Sequence, residues 1–141
     1  MKRNFILLVA VVGIVAFGAA RASASSAPIV ISYDKKCDAN NHCLGEAGDG
    51  GRIEMQVDPA TYRPTGPGAE LTLTEWITVG NVKFTAEVNG HFSPAGFIVL
   101  NGKVTEGSFA GAQVHQRSDW VGLDGNETVW AGKLQLVPAS S

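Results

Sequence analysis

What is missing from this chain narrows its class more than what is present. There are only two cysteines and three histidines in 141 residues. No second Cys/His pair follows the first, so a zinc ribbon or finger has no ligand set. No Lys/Arg cluster occurs, and phosphate attraction dominates nucleic-acid affinity, so no nucleic-acid partner is expected. No window beyond Ser25 repeats apolar residues at the helical period of 3.6, which excludes bundles and α/β folds. Gly-x-Ser-x-Gly is absent, and Gly107-Ser108-Phe109 has neither its frame nor a following helix. Phosphate loops, dinucleotide fingerprints and calcium loops of the helix–loop–helix kind are also absent. The acidic residues are scattered along strands and turns instead of forming the carboxylate pair of a glycosidase. No cofactor is implied.

The amino end reads as a cleavable signal peptide over residues 1–24. Lys2 and Arg3 make a short positive head, Phe5 to Ala20 carries no charge, and Ala22-Ser23-Ala24 has the small residues that a signal peptidase requires. The apolar run is short for a membrane span, which needs about 20 residues, so no stable span is expected after cleavage. Residues 25–141 would then form a single domain of 117 residues with eight basic and thirteen acidic side chains, a net charge of −5. That length carries one real core. The expected location is secreted or periplasmic.

Cys37 and Cys43 lie in this exported part. An oxidising compartment pairs neighbouring thiols, and Asp38-Ala39-Asn40-Asn41-His42 between them is rich in turn formers. A disulfide closing so short a loop is worth roughly 2 kcal/mol in the chain-entropy model. The alternative is a metal held by Cys37, His42, Cys43 and Asp38. The spacing departs from the two to four residues usual between zinc ligands, and no metal is expected.

Alternation with period two dominates the rest and predicts antiparallel strands. Pro28 to Tyr33 is the first strand, followed by the Cys loop and several glycines. Arg52 to Val57 alternates cleanly, with Ile53, Met55 and Val57 on one face. Asp58 to Gly68 holds three prolines and two glycines, which predicts an exposed loop. Glu70 to Val79 is the longest strand candidate; Leu71, Leu73, Ile77 and Val79 share a face that Glu75 interrupts. Val82 to Val88 follows. Asn89-Gly90 and Asn101-Gly102 read as hairpin turns, with Lys103 to Thr105 pairing back across the second. His91 to Leu100 is weaker because Pro94 forces a break or an edge. Ser108 to Ser118 is a further candidate, which Asp119 to Leu123 continues or follows as a new strand after a bulge, and Glu127 to Val137 closes the set. About eight strands at this spacing predict an all-β antiparallel meander closing into a small β-barrel. The alternative is a two-sheet β-sandwich. At least two of Trp76, Trp120 and Trp130 are expected in the core or at its rim. Asn126-Glu127-Thr128 matches the N-glycosylation pattern, which has meaning only in a host with an endoplasmic reticulum.

The candidate ligand-binding residues are Gln113, His115, Arg117 and Asp119. On an extended strand they share one face at about 6.5–7 Å intervals, with Ala110, Ala112, Val114 and Trp120 on the other. Arg117 is suited to hold a carboxylate or phosphate in a fork, His115 to relay a proton near neutral pH, and Asp119 to orient either. The bland alternative is a solvated outer face. The leading functional expectation is a secreted, non-catalytic binding module for a small ligand or a protein partner. The alternatives are a small secreted enzyme built on the His/Arg/Asp row and a structural or envelope-associated protein without a discrete site.

Overall fold

Alternating apolar and polar residues become nine strands in a computed structural model that describes residues 27–140; the predicted leader lies outside them. The strands are β1 (Ile29–Cys37), β2 (His42–Ala47), β3 (Gly51–Val57), β4 (Arg63–Thr65), β5 (Gly68–Val79), β6 (Val82–Ser93), β7 (Phe97–Gly107), β8 (Gln113–Asp124) and β9 (Glu127–Val137). Eight of them form a closed antiparallel barrel in chain order, and β4 is a short addition at the edge of β5. Closure needs two non-hairpin contacts. β1 pairs with β9 from Ile29↔Leu136 to Cys37↔Thr128, and β3 pairs with β5 from Arg52↔Thr78 to Val57↔Leu73. The closed ring replaces the sandwich alternative and pairs most of the edge that an open sheet would expose.

Most apolar strand residues turn inward, with Val30, Leu44, Val121 and Leu123 as exposed exceptions. Ile53, Ile77, Phe84, Leu100, Leu134 and Leu136 are all buried, each contributing roughly 1.5–3 kcal/mol by burial. Lys83, Glu87, Lys103 and Lys133 point out. This is the reverse of a membrane-spanning barrel, which is apolar outside and polar within. Among the described residues no helix is long and apolar enough to cross a membrane.

Three expectations about the strands are corrected. Asn89-Gly90 and Asn101-Gly102 are not turns; they lie inside β6 and β7, which run straight through them. A Cβ on Gly90 would lie 1.8 Å from the Val99 carbonyl oxygen, and one on Gly102 would lie 2.0 Å from that of Glu87. These glycines let neighbouring backbones crowd together where the sheet curls, a use of Gly in strand interiors that mimics the hairpin signal. Consequently Lys103 to Thr105 does not return across a turn but continues β7. The segment after the first strand is not simply a loop either. β1 extends to Cys37, and His42–Ala47 pairs back onto it in register from Tyr33↔Ala47 to Cys37↔Cys43.

The cysteines are therefore cross-strand partners, and they form the disulfide. The Pro-rich segment holds a 3₁₀ turn at Pro59–Thr61, capped by Asp58, whose side chain accepts from the Ala60 amide at 3.0 Å. Pro64 in β4 is tolerated because that strand lies at an edge. Of the tryptophans only Trp130 is buried, meeting Phe92 edge-on at 6.2 Å. Trp76 and Trp120 are about half exposed, on different strands, at 42% and 50%. Trp120 pairs with Trp130, and a register shift follows it, between Trp120 and Gly122.

Candidate functional site

β8 displays Gln113, His115, Arg117 and Asp119 on one face, as alternation requires, and that face is the outside of the barrel. The neighbouring strands determine what each side chain meets. His115 sits opposite Asn101 of β7, and its Nδ1 lies 2.6 Å from the Asn101 side-chain oxygen. Arg117 donates to Asp119 from Nη2 at 3.0 Å, and its guanidinium lies 4.2 Å from the centre of the Phe97 ring. Gln113 stands at the start of the strand, opposite Lys103 and Val137. The four residues share a face without converging on one point.

Two of them border a concavity. A groove of about 900 Å³ is lined by Arg117 and Asp119 on one side. It crosses Ala131 and Lys133 of β9 and Ser32 and Asp34 of β1, and ends at the β2–β3 and β5–β6 turns. Gln113 and His115 do not line it. A smaller recess of about 590 Å³ lies between the Pro-rich segment and the β5–β6 pair, beside Arg63, Glu70 and His91.

Inside the barrel the structure assembles a second group that alternation hides. Gln116 and Ser118, on the opposite face of β8 from the predicted row, are buried with Lys35 and Glu75. The Ser118 and Tyr33 hydroxyls are hydrogen-bonded. With the Gln116 amide oriented to satisfy both neighbours, its oxygen accepts from Tyr33 at 2.7 Å and its nitrogen donates to Glu75 at 3.0 and 3.1 Å. Lys35 Nζ donates to Met55 Sδ at 3.0 Å, a weak acceptor. Burial pushes the Glu75 carboxyl up to about 7, against the pull of the Lys35 charge and the Gln116 hydrogen bond. Burial likewise brings Lys35 down to about 8, against the Glu75 charge. It also raises the Tyr33 phenol. Desolvation disfavours each charged form. These groups lie amid a packed core with Ile53, Met55 and Leu134, so they meet one another and not solvent.

Searches against protein-family models, curated proteins and solved structures found no match. The site therefore has to be read from its own geometry. Sequence reasoning missed the interior group because Glu75 looked like an interruption and Gln116 and Ser118 looked like neighbours of a polar row. The available signal was parity: Gln116 and Ser118 share it with Val114, and Glu75 shares it with Leu73 and Ile77.

At the turn joining β8 to β9, Asn126 is exposed. The Thr128 hydroxyl of the same tripeptide accepts from Trp130 Nε1 at 2.9 Å.

Proposed function

We propose that this chain is an exported, non-catalytic binding module that takes its ligand or protein partner in the groove on the outside of the barrel. The filled lumen carries this reading. Phe84, Ile53, Leu100 and Leu134 occupy the interior, and a groove of about 900 Å³ lies outside it. That size falls within the range of ligand sites. Arg117, Asp119 and Lys133 place both signs of charge along its wall. Export is supported by the leader-like amino end and by the Cys37–Cys43 disulfide.

A specific observation favours one rival. A filled lumen with His115 facing solvent also suits a structural or envelope-associated protein without a discrete site. Amide chemical shifts of the isotope-labelled domain separate the two. Titration with small-molecule fragments and short peptides is expected to move the signals of Ser32, Asp34, Ala131 and Lys133 together. Scattered or absent shifts across all probes would favour the structural reading.

A further inference from the structure

The groove has an unusual wall. β1 is paired with β9 along its whole length, but its other edge is covered by β2 only from Tyr33 onward. The Gly48 amide donates to the Ser32 carbonyl at 2.8 Å and ends that pairing. In an extended strand the N–H and C=O of alternate residues point to the same side. Val30, two residues before Ser32, therefore turns both groups toward the side that β2 has left. No described backbone group bonds to Val30 there. Its side chain is 59% exposed. Pro28, the next residue of that parity, has no N–H to offer. The open edge is thus one hydrogen-bonding residue long with an acceptor beyond it, which suits a short extended segment.

Charge narrows the occupant further. Arg117 is engaged by Asp119. Asp34, Glu46 and Asp49 also line the groove, and among the described residues none of them makes an ion pair. Lys133 is the one further cation in the lining. Val79 and Val82 add apolar surface to the same lining as Val30. Unpaired carboxylates beside an open backbone edge repel acidic ligands and a second copy of the same groove, and attract cations.

We propose that the groove binds an extended peptide segment bearing Lys or Arg side chains, added as a short strand at Val30. The proposal rests on the binding-module reading and specifies its partner. Main-chain bonds would supply the docking direction, and Asp34, Glu46 and Asp49 would select the side chains, as in other cases of strand addition.

The probes are acetylated, amidated pentapeptides of sequence Lys-Val-Lys-Val-Lys and Glu-Val-Glu-Val-Glu, together with spermidine. Binding to the disulfide-intact domain is read by amide shifts and fluorescence anisotropy. The basic peptide is expected to bind with shifts centred on Val30, Ser32 and Asp34, and the acidic peptide to bind at least about tenfold more weakly at low salt. N-methylation of alternate peptide nitrogens is expected to abolish binding in one phase and spare it in the other. Asp34→Asn/Glu46→Gln should weaken the basic peptide about tenfold and flatten its salt dependence. Val30→Pro, which removes the edge N–H without removing a donor to β9, should weaken it, with Val30→Ala as the control that alters the side chain and keeps the N–H.

Equal binding of spermidine with no effect of N-methylation would overturn the strand-addition proposal while leaving the groove as a binding site. So would groove shifts caused only by acidic or neutral probes, or by self-association of the domain. If no probe of any class moves groove signals, this proposal and the binding-module reading fall together.

Discussion

The most demanding test of the fold is to remove the charges from its interior. Lys35 is 4% exposed and Glu75 is fully buried. Glu75 accepts from Gln116, whereas Lys35 has only the Met55 sulfur as a hydrogen-bond partner. Taking away one member leaves the other uncompensated in a low-dielectric interior, which costs about 3–5 kcal/mol. Replacing both with uncharged residues of similar shape is often neutral or stabilising by about 1–4 kcal/mol. Lys35→Met keeps a linear apolar chain beside Met55, and Glu75→Gln keeps an oxygen for the Gln116 amide.

At pH 8 the member left behind escapes most of that cost by going neutral, since Lys35 is already brought down to about 8 and Glu75 pushed up to about 7, so Lys35→Met is expected to lose about 1 kcal/mol, Glu75→Gln less, and the double variant to lie within about 1 kcal/mol of the parent. Urea unfolding followed by tryptophan fluorescence reads all four proteins with the disulfide intact. A single variant that costs about 3 kcal/mol or more at pH 8 would refute the idea that the partner left behind sheds its charge.

The same pair shapes stability against pH. Glu75 is raised from 4.5 to about 7 on folding, so its contribution is complete below the unfolded value and is lost as pH rises through the folded one. Lys35 is lowered from 10.5 to about 8, so its contribution is present above the unfolded value and is lost as pH falls through the folded one. The parent is therefore expected to show a stability trough between about pH 7 and 8 relative to the double variant, rising on each side by at most about 3 kcal/mol. A flat difference between pH 5 and 10 would remove the pair from the pH profile.

Other perturbations are as specific. Reducing the disulfide or making Cys37→Ser/Cys43→Ser should cost about 2 kcal/mol of folding free energy, measured by urea midpoint with and without reductant; an unchanged midpoint would contradict it. Gly102→Ala places a methyl 2.0 Å from the Glu87 carbonyl oxygen and should cost about 3 kcal/mol or more. An unchanged melting temperature would show that β6 and β7 do not approach as described. Lys36 and Asp124 form a fully exposed ion pair, which raises the lysine and lowers the aspartate pKa. Asp124→Asn should nonetheless leave the melting temperature unmoved, because solvent screens such pairs. Arg117→Ala should likewise leave stability intact while altering ligand shifts in the groove, and unaltered shifts would take Arg117 out of the site.

Several elements were legible in the residues alone. Ile53-Glu54-Met55-Gln56-Val57 could only be a half-buried strand, and Val82 to Val88 another, because side chains alternate across a pleat. The pairing of Cys37 with Cys43 followed from proximity in the chain, though not its position across two strands. The shared face of Gln113, His115, Arg117 and Asp119 also followed from alternation. Asn89-Gly90 and Asn101-Gly102 misled because a glycine serves equally for a left-handed turn and for close backbone contact, and nothing within a few residues distinguishes the two uses.

Period-two patterning by itself determined that this chain forms antiparallel strands with one apolar face, since that follows from bonds within each strand. Only the closed barrel decided which of two polar rows on β8 is interior, that Glu75 belongs among leucines, and that Val30 is left without a partner on its β2 side. Those outcomes depend on the register of strands far apart in sequence, β1 with β9 and β3 with β5. A one-residue slip in register would turn every side chain of a strand to the other face.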